Sequence, residues 1–222
     1  MMTVLSVFVS GCRTSSGGAA PALPHPRSAA LADETLNATR PRNPTRIRFA
    51  FRVRESDLRF TGQGLARVEP PYRVRLDLFS NGGETIFQAA LVEGALRIPV
   101  WAPRELAPPP ALLWAALGIF RPDPGLELLD GKEGKGGVLT LRYGGPEDLE
   151  LRFSLREGHL TRAELHKEGH LMEEVDLALD ESTGTVLETV YRNRALFLEL
   201  TFSLESTENV APFPVEIWYP GR

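Results

Sequence analysis

Three groups of polar residues in this 222-residue chain have the types that chemistry needs, and spacing decides what each can do. His159, His166 and His170 invite a metal site, with His166 and His170 flanking Gly169 at a hairpin joint. A metal needs a further ligand on the same side, and strand alternation turns these rings to different faces. They read as solvated hairpin residues. GKEGKGG (131–137) has the glycines and lysines of a phosphate cradle but lacks a terminal Lys-Ser/Thr and a strand-to-helix setting. It reads as a flexible connection. Glu173, Glu174 and Asp176 share one strand pattern, Glu173 facing away from the other two. Acid–base work would need a carboxyl raised by burial; the pattern alone reads as a charge-lined sheet edge. No Gly-x-Ser-x-Gly occurs and no Ser/His/Asp set stands out. A hydrolase built on His159 or His170 would still need a nucleophile within hydrogen-bond reach. The expectation is a chain that is not an enzyme and uses no metal or cofactor.

One further residue carries chemistry of another kind. Cys12 is the single cysteine, so the chain has neither an internal disulfide nor a cysteine-based zinc site. It follows a seven-residue apolar run, TVLSVFV (3–9), too short to span a bilayer and suited to a signal-peptide core. Val9-Ser10-Gly11-Cys12 resembles the lipobox of bacterial lipoproteins. That resemblance implies cleavage before Cys12 and a diacylglycerol on its thiol, with residues 1–11 as a signal peptide truncated at its charged end. Stable anchoring takes more than one acyl chain, which a diacylated thiol supplies. RTSSGGAAPALPHP (13–26) is rich in Gly, Ser, Pro and Ala and reads as tether. Within residues 12–44 only ALADETLN (30–37) has the makings of a short helix, closed by Pro41 and Pro44.

From Thr45 to the C-terminus, taken as one domain (45–222), the period is two. Ile47, Phe49, Phe51 and Val53 alternate with Arg46, Arg48, Arg52 and Arg54, a strand with one wet face. Phe60, Gly62, Gly64, Ala66 and Val68 continue the apolar side, and glycines there imply strong curvature or close approach. Runs at 72–78, 84–93 and 95–101 follow, with SNGGE (80–84) reading as the hairpin loop after the first of them. The second half repeats the habit at 138–143, 148–157, 159–168, 170–180, 185–194 and 195–206. About eleven hairpin-linked strands make a mainly β, antiparallel meander too large to stay flat. Between the halves, PPPALLWAALGIFRPDPG (108–125) is apolar nearly all round, a helix to be buried on several sides. APFPVEIWYPGR (211–222) reads either as a last edge strand or as an ordered flap.

A lipobox-like start, a curved meander and an apolar helical plug between strands five and six together resemble the bacterial outer-membrane lipoprotein carrier and receptor superfamily (LolA/LolB-like). GQGLARVEPPYRVRLDLFSNGGETIF (62–87) is similar to that family's second and third strands. The resemblance implies an unclosed β-barrel lidded by helices, holding acyl chains in an apolar cavity. By it, Phe49, Phe51, Phe60, Leu76, Leu78 and Phe87 would line the cavity from the sheet, and Leu113, Trp114 and Leu117 from the lid. The receptor's protruding apolar residue has no counterpart in Ser80-Asn81-Gly82-Gly83; Phe79 stands nearest.

The implied partners are lipid acyl chains or lipoproteins, with attachment to the periplasmic face of a membrane, the outer one, through the N-terminal lipid. A net charge of −4 and pI near 5.7 give no electrostatic footprint for nucleic acid. The rival reading is a non-catalytic scaffold lipoprotein with a filled core, offering its arginine-rich face to an envelope protein partner. Burial alone accounts for inward aromatics, at about 1.5–3 kcal/mol each, so cavity volume separates the two.

Overall fold

Alternation of apolar and polar residues across a pleated backbone makes every strand two-faced, and the chain satisfies this by wrapping one sheet around its apolar side. The computed structural model describes residues 22, 23 and 25–221. A helix, α1 (His25–Thr39), precedes β1 (Thr45–Glu55), β2 (Leu58–Glu69), β3 (Arg73–Ser80), β4 (Thr85–Val92) and the short β5 (Ala95–Arg97). The second helix, α2 (Pro110–Ala115), lies in the crossover to β6 (Glu127–Glu133). Then come β7 (Val138–Gly144), β8 (Leu149–Arg156), β9 (His159–Lys167), β10 (His170–Leu179), β11 (Val186–Asn193) and β12 (Leu198–Asn209). All pair antiparallel in the order β5-β4-β3-β2-β1-β12-β11-β10-β9-β8-β7-β6. The edges β5 and β6 do not pair, so the curl is an unclosed half-barrel.

Curvature begins at Gly62 and Gly64, opposite Phe51 and Phe49 of β1. A Cβ at Gly64 would overlap the Phe49 ring, and one at Gly62 would meet Phe51 and the Phe79 carbonyl. The rings therefore lie over bare backbone, filling from one strand the space its neighbour leaves.

Several elements differ from the sequence expectation. β6 is a twelfth strand, so GKEGKGG is only partly a connection: Gly131 to Glu133 pair with β7, and Lys135–Gly137 is a 3-10 turn. Gly131 is what lets α1 approach, since a Cβ there would come within 2.8 Å of Ser28 Oγ. The expected short helix over 30–37 is the 15-residue α1, burying Ser28, Ala32 and Thr35. Residues 25–39 are thus packed structure where tether was expected. Ala22 forms an antiparallel bridge with Lys132, and Leu23 N–H donates to Gly131 O at 2.7 Å. The expected helix over 108–125 shortens to α2, because Gly118 at φ +74 ends it. Ile119 N–H reaches back to Trp114 O and Gly118 N–H to Ala115 O, a Schellman ending. Phe120 then packs edge-on against Phe153 at 4.9 Å.

On the convex face β10 is no sheet edge, since β9 and β11 flank it. Its carboxylates are neutralised: Glu174 pairs with Arg162 and Arg194, and Asp176 with Arg162 and Arg192. The C-terminal segment is the ordered flap of the two alternatives. A 3-10 turn, Val215–Trp218, lays Trp218 on Ala90 and Val92. Arg75 donates to Ile217 O at 2.6 Å and Arg97 to Trp218 O at 3.0 Å.

Candidate functional site

α2 is held in the mouth of the half-barrel at its C-terminal end, from two sides. The Trp114 ring meets Tyr72 edge-on at 5.8 Å, and the Arg121 guanidinium stacks on Tyr72 at 3.6 Å. Beyond it, Thr189 Oγ1 donates to Ala116 O at 2.9 Å, tying the helix end to β11. Val186 packs so closely on Gly118 that a Cβ there would lie 2.8 Å from it.

The six-residue helix is too short to fill the trough it covers. Between its last turn and β1, β3, β11 and β12 lies a partly open recess of about 220 Å³. Ile47 and Phe49 come from β1, Val74 and Leu76 from β3, Phe202 and Leu204 from β12, and Leu113, Ala116 and Leu117 from α2 and the turn after it. Thr185, Val186, Leu187, Thr189 and Thr207 complete the rim. No ionisable side chain lines it. The recess can desolvate hydrocarbon, at about 25 cal/mol per Å² buried, and holds no group for acid–base work.

Of the nine cavity residues expected from sequence, Phe49, Leu76, Leu113 and Leu117 meet at this recess. Phe51, Leu78, Phe87 and Trp114 lie in the packed core beyond it, and Phe60 is half-buried against Phe51. Cys12, the expected lipidation site, lies outside the described residues. The β11 and β12 walls escaped the sequence reading. Their signal was the alternation at 196–204, but only register shows Leu204 opposite Phe49 and Phe202 opposite Phe51.

Among the described residues no three His, Cys, Asp or Glu side chains gather as metal ligands. His159 lies against Gly184 in the turn between β10 and β11, while His166 is buried beside Glu164 at the far end of β9. Glu173 faces away from Glu174 and Asp176, as the alternation predicts, and so onto the concave face; what departs from expectation is its burial, which pushes its carboxyl above the usual range, against the opposing hydrogen bond from Tyr191.

An unclosed antiparallel half-barrel with helices over its concave side defines a class of fold, the LolA/LolB-like one, and this chain adopts it. Neither a family model nor a curated protein matches the sequence. Solved structures do. A LolA superfamily protein from Nitrosomonas europaea superposes with a TM-score of 0.56 at 12% identity, covering 86% of this chain and 96% of that one. A DUF1329 family protein from Desulfovibrio piger gives 0.56 at 7% identity, over 89% and 98%. A putative outer membrane lipoprotein-sorting protein domain from Vibrio parahaemolyticus gives 0.49 at 9% identity, over 86% and 96%.

Proposed function

We propose that this protein is a non-catalytic, lipid-anchored envelope protein that shelters an acyl chain, free or carried by a lipoprotein, under α2. The observation that carries the reading is the apolar recess of about 220 Å³ with no ionisable lining. An apolar cavity of about 150 Å³ already stays dry and takes up benzene. Pockets for drug-sized ligands run to about 300–1,000 Å³, so the recess as it stands suits one stretch of hydrocarbon. Longer chains require α2 to shift and give up the Thr189–Ala116 hydrogen bond. The lipobox-like Val9-Ser10-Gly11-Cys12 supports attachment through Cys12 to the periplasmic face of a membrane, and this reading assigns the outer membrane as the working place. The likeness to a LolA superfamily fold is consistent with handling lipid or lipoprotein.

The test is displacement of a fluorescent fatty acid from the purified protein. Leu117→Asp, at the half-buried rim, should weaken uptake at least about tenfold, the lower end of what burying one Leu contributes, while leaving the circular dichroism unchanged. Trp114 is unsuitable for this substitution, being packed in the core. No uptake by the wild-type protein would overturn the reading. The scaffold alternative has its own observation: Arg48, Arg52 and Arg59 are exposed on the convex face of β1 and β2, with no carboxylate partner among the described residues. A partner that survives Leu117→Asp but is lost on substituting these arginines would favour it.

A further inference from the structure

A second opening on the concave side lies between β5, the crossover before α2, and strands β10 and β11, with a volume of about 440 Å³. Glu173, Tyr191 and Asn193 form one wall; Leu96, Leu196 and Pro109 supply apolar surface. The Tyr191 hydroxyl donates to Glu173 Oε2 at 2.8 Å, and Asn193 Nδ2 donates to Oε1 at 3.2 Å. These two neutral donors fix the carboxylate in one orientation and leave its charge without a counter-ion.

No basic side chain pairs with Glu173 among the described residues, which sets it apart from the other half-buried and buried carboxylates of the sheet. Asp77 has Arg67 and Arg75; Glu174 has Arg162 and Arg194; Glu150 has Arg142 and Arg152. A partly desolvated, oriented carboxylate beside apolar surface has the requirements of a cation's receptor: charge is missing there and the surrounding walls favour hydrocarbon. Arg104 and Glu105 also line the opening; both are exposed, and Arg104 makes no ion pair with Glu173. Burial holds the Glu173 carboxyl above its usual range, the direction a bound ammonium would reverse.

We propose that this cleft binds the ammonium group of a small amphiphilic amine, its head on Glu173 and its hydrocarbon against Leu96, Leu196 and Pro109. The proposal concerns a different opening from the apolar recess and stands whether or not acyl chains bind there. Calorimetric titration of the folded protein at pH 7.5 with octylammonium and with octanol tests it. The wild type should bind octylammonium about tenfold more tightly, equivalent to one decade in Kd. Glu173→Gln should bring octylammonium down to the octanol value, and Leu117→Asp should leave the preference intact. Equal affinity of the two probes for the wild type overturns the proposal, and that comparison needs no variant to fold. So does a preference that survives Glu173→Gln, or one lost in Leu117→Asp, which would place the alkyl chain in the recess instead.

Discussion

Glu173 and Glu150 are carboxylates of one sheet with opposite environments, and their effects on stability run in opposite directions with pH. Arg142 and then Arg152 hold the Glu150 carboxyl down at about 2. The folded protein therefore binds that proton less readily than the unfolded chain, so Glu150 contributes stability above its ordinary 4.5 and loses it as pH falls toward about 2. Glu150→Gln should cost about 1–2 kcal/mol at pH 7, after allowing for solvent screening of these partly exposed pairs. Thermal unfolding of that variant should then decline less between pH 4.5 and about 2. For Glu173 burial favours the neutral acid, so stability is greater at low pH and falls as pH rises through the raised value. Glu173→Gln should raise Tm at neutral pH and remove that fall. A Tm below wild type at pH 7.5 would mean that its hydrogen bonds from Tyr191 and Asn193 outweigh desolvation.

The elements that cover the concave face are short and depend on missing side chains. α1 seats itself on Gly131 of β6, with Arg27 pairing to Glu133 at 2.6 Å and Thr39 Oγ1 accepting from Phe120 N–H at 3.1 Å. The helix thus links the β6 edge to the chain leaving α2. Edge strands present unpaired backbone that invites association, and the Ala22–Lys132 bridge with α1 covers part of that edge. Gly131→Val would push on Ser28 and should cost about 1–3 kcal/mol, the usual range for overpacking. Hydrogen exchange should quicken in α1, β6 and β7 while β1 to β4 keep their protection. Uniform quickening across the sheet would instead show that α1 and the sheet unfold as one unit.

At the scale of the whole molecule, the two faces of the sheet are stabilised by different means. The concave face packs one apolar core, with Phe153 edge-on to both Phe120 and Tyr143 and those two rings tilted against each other. The convex face carries ion pairs across neighbouring strands, and the C-terminal flap adds a second small cluster around Trp218. Because Trp218 lies on the opposite side of the sheet from the recess, Trp218→Ala should cost about 3–5 kcal/mol yet leave fatty-acid uptake by the surviving folded protein unchanged. A change in uptake would mean that the flap and the recess are coupled through β3 and β4. How much of this was legible beforehand follows from what a local pattern can encode. Period-two alternation from Thr45 onward, the glycines at 62 and 64, and the apolar block around Trp114 determined a curved antiparallel meander with a buried plug, since each depends on near neighbours. β6 stayed hidden because Gly131 and the charges around it read as a connection until β7 is laid beside them. Which apolar residues remain partly uncovered depended on the placing of β11 and β12 next to β1, on Gly118 cutting α2 short, and on β5 and β6 failing to meet. Those are distances between segments remote in the chain, and packing alone decided them.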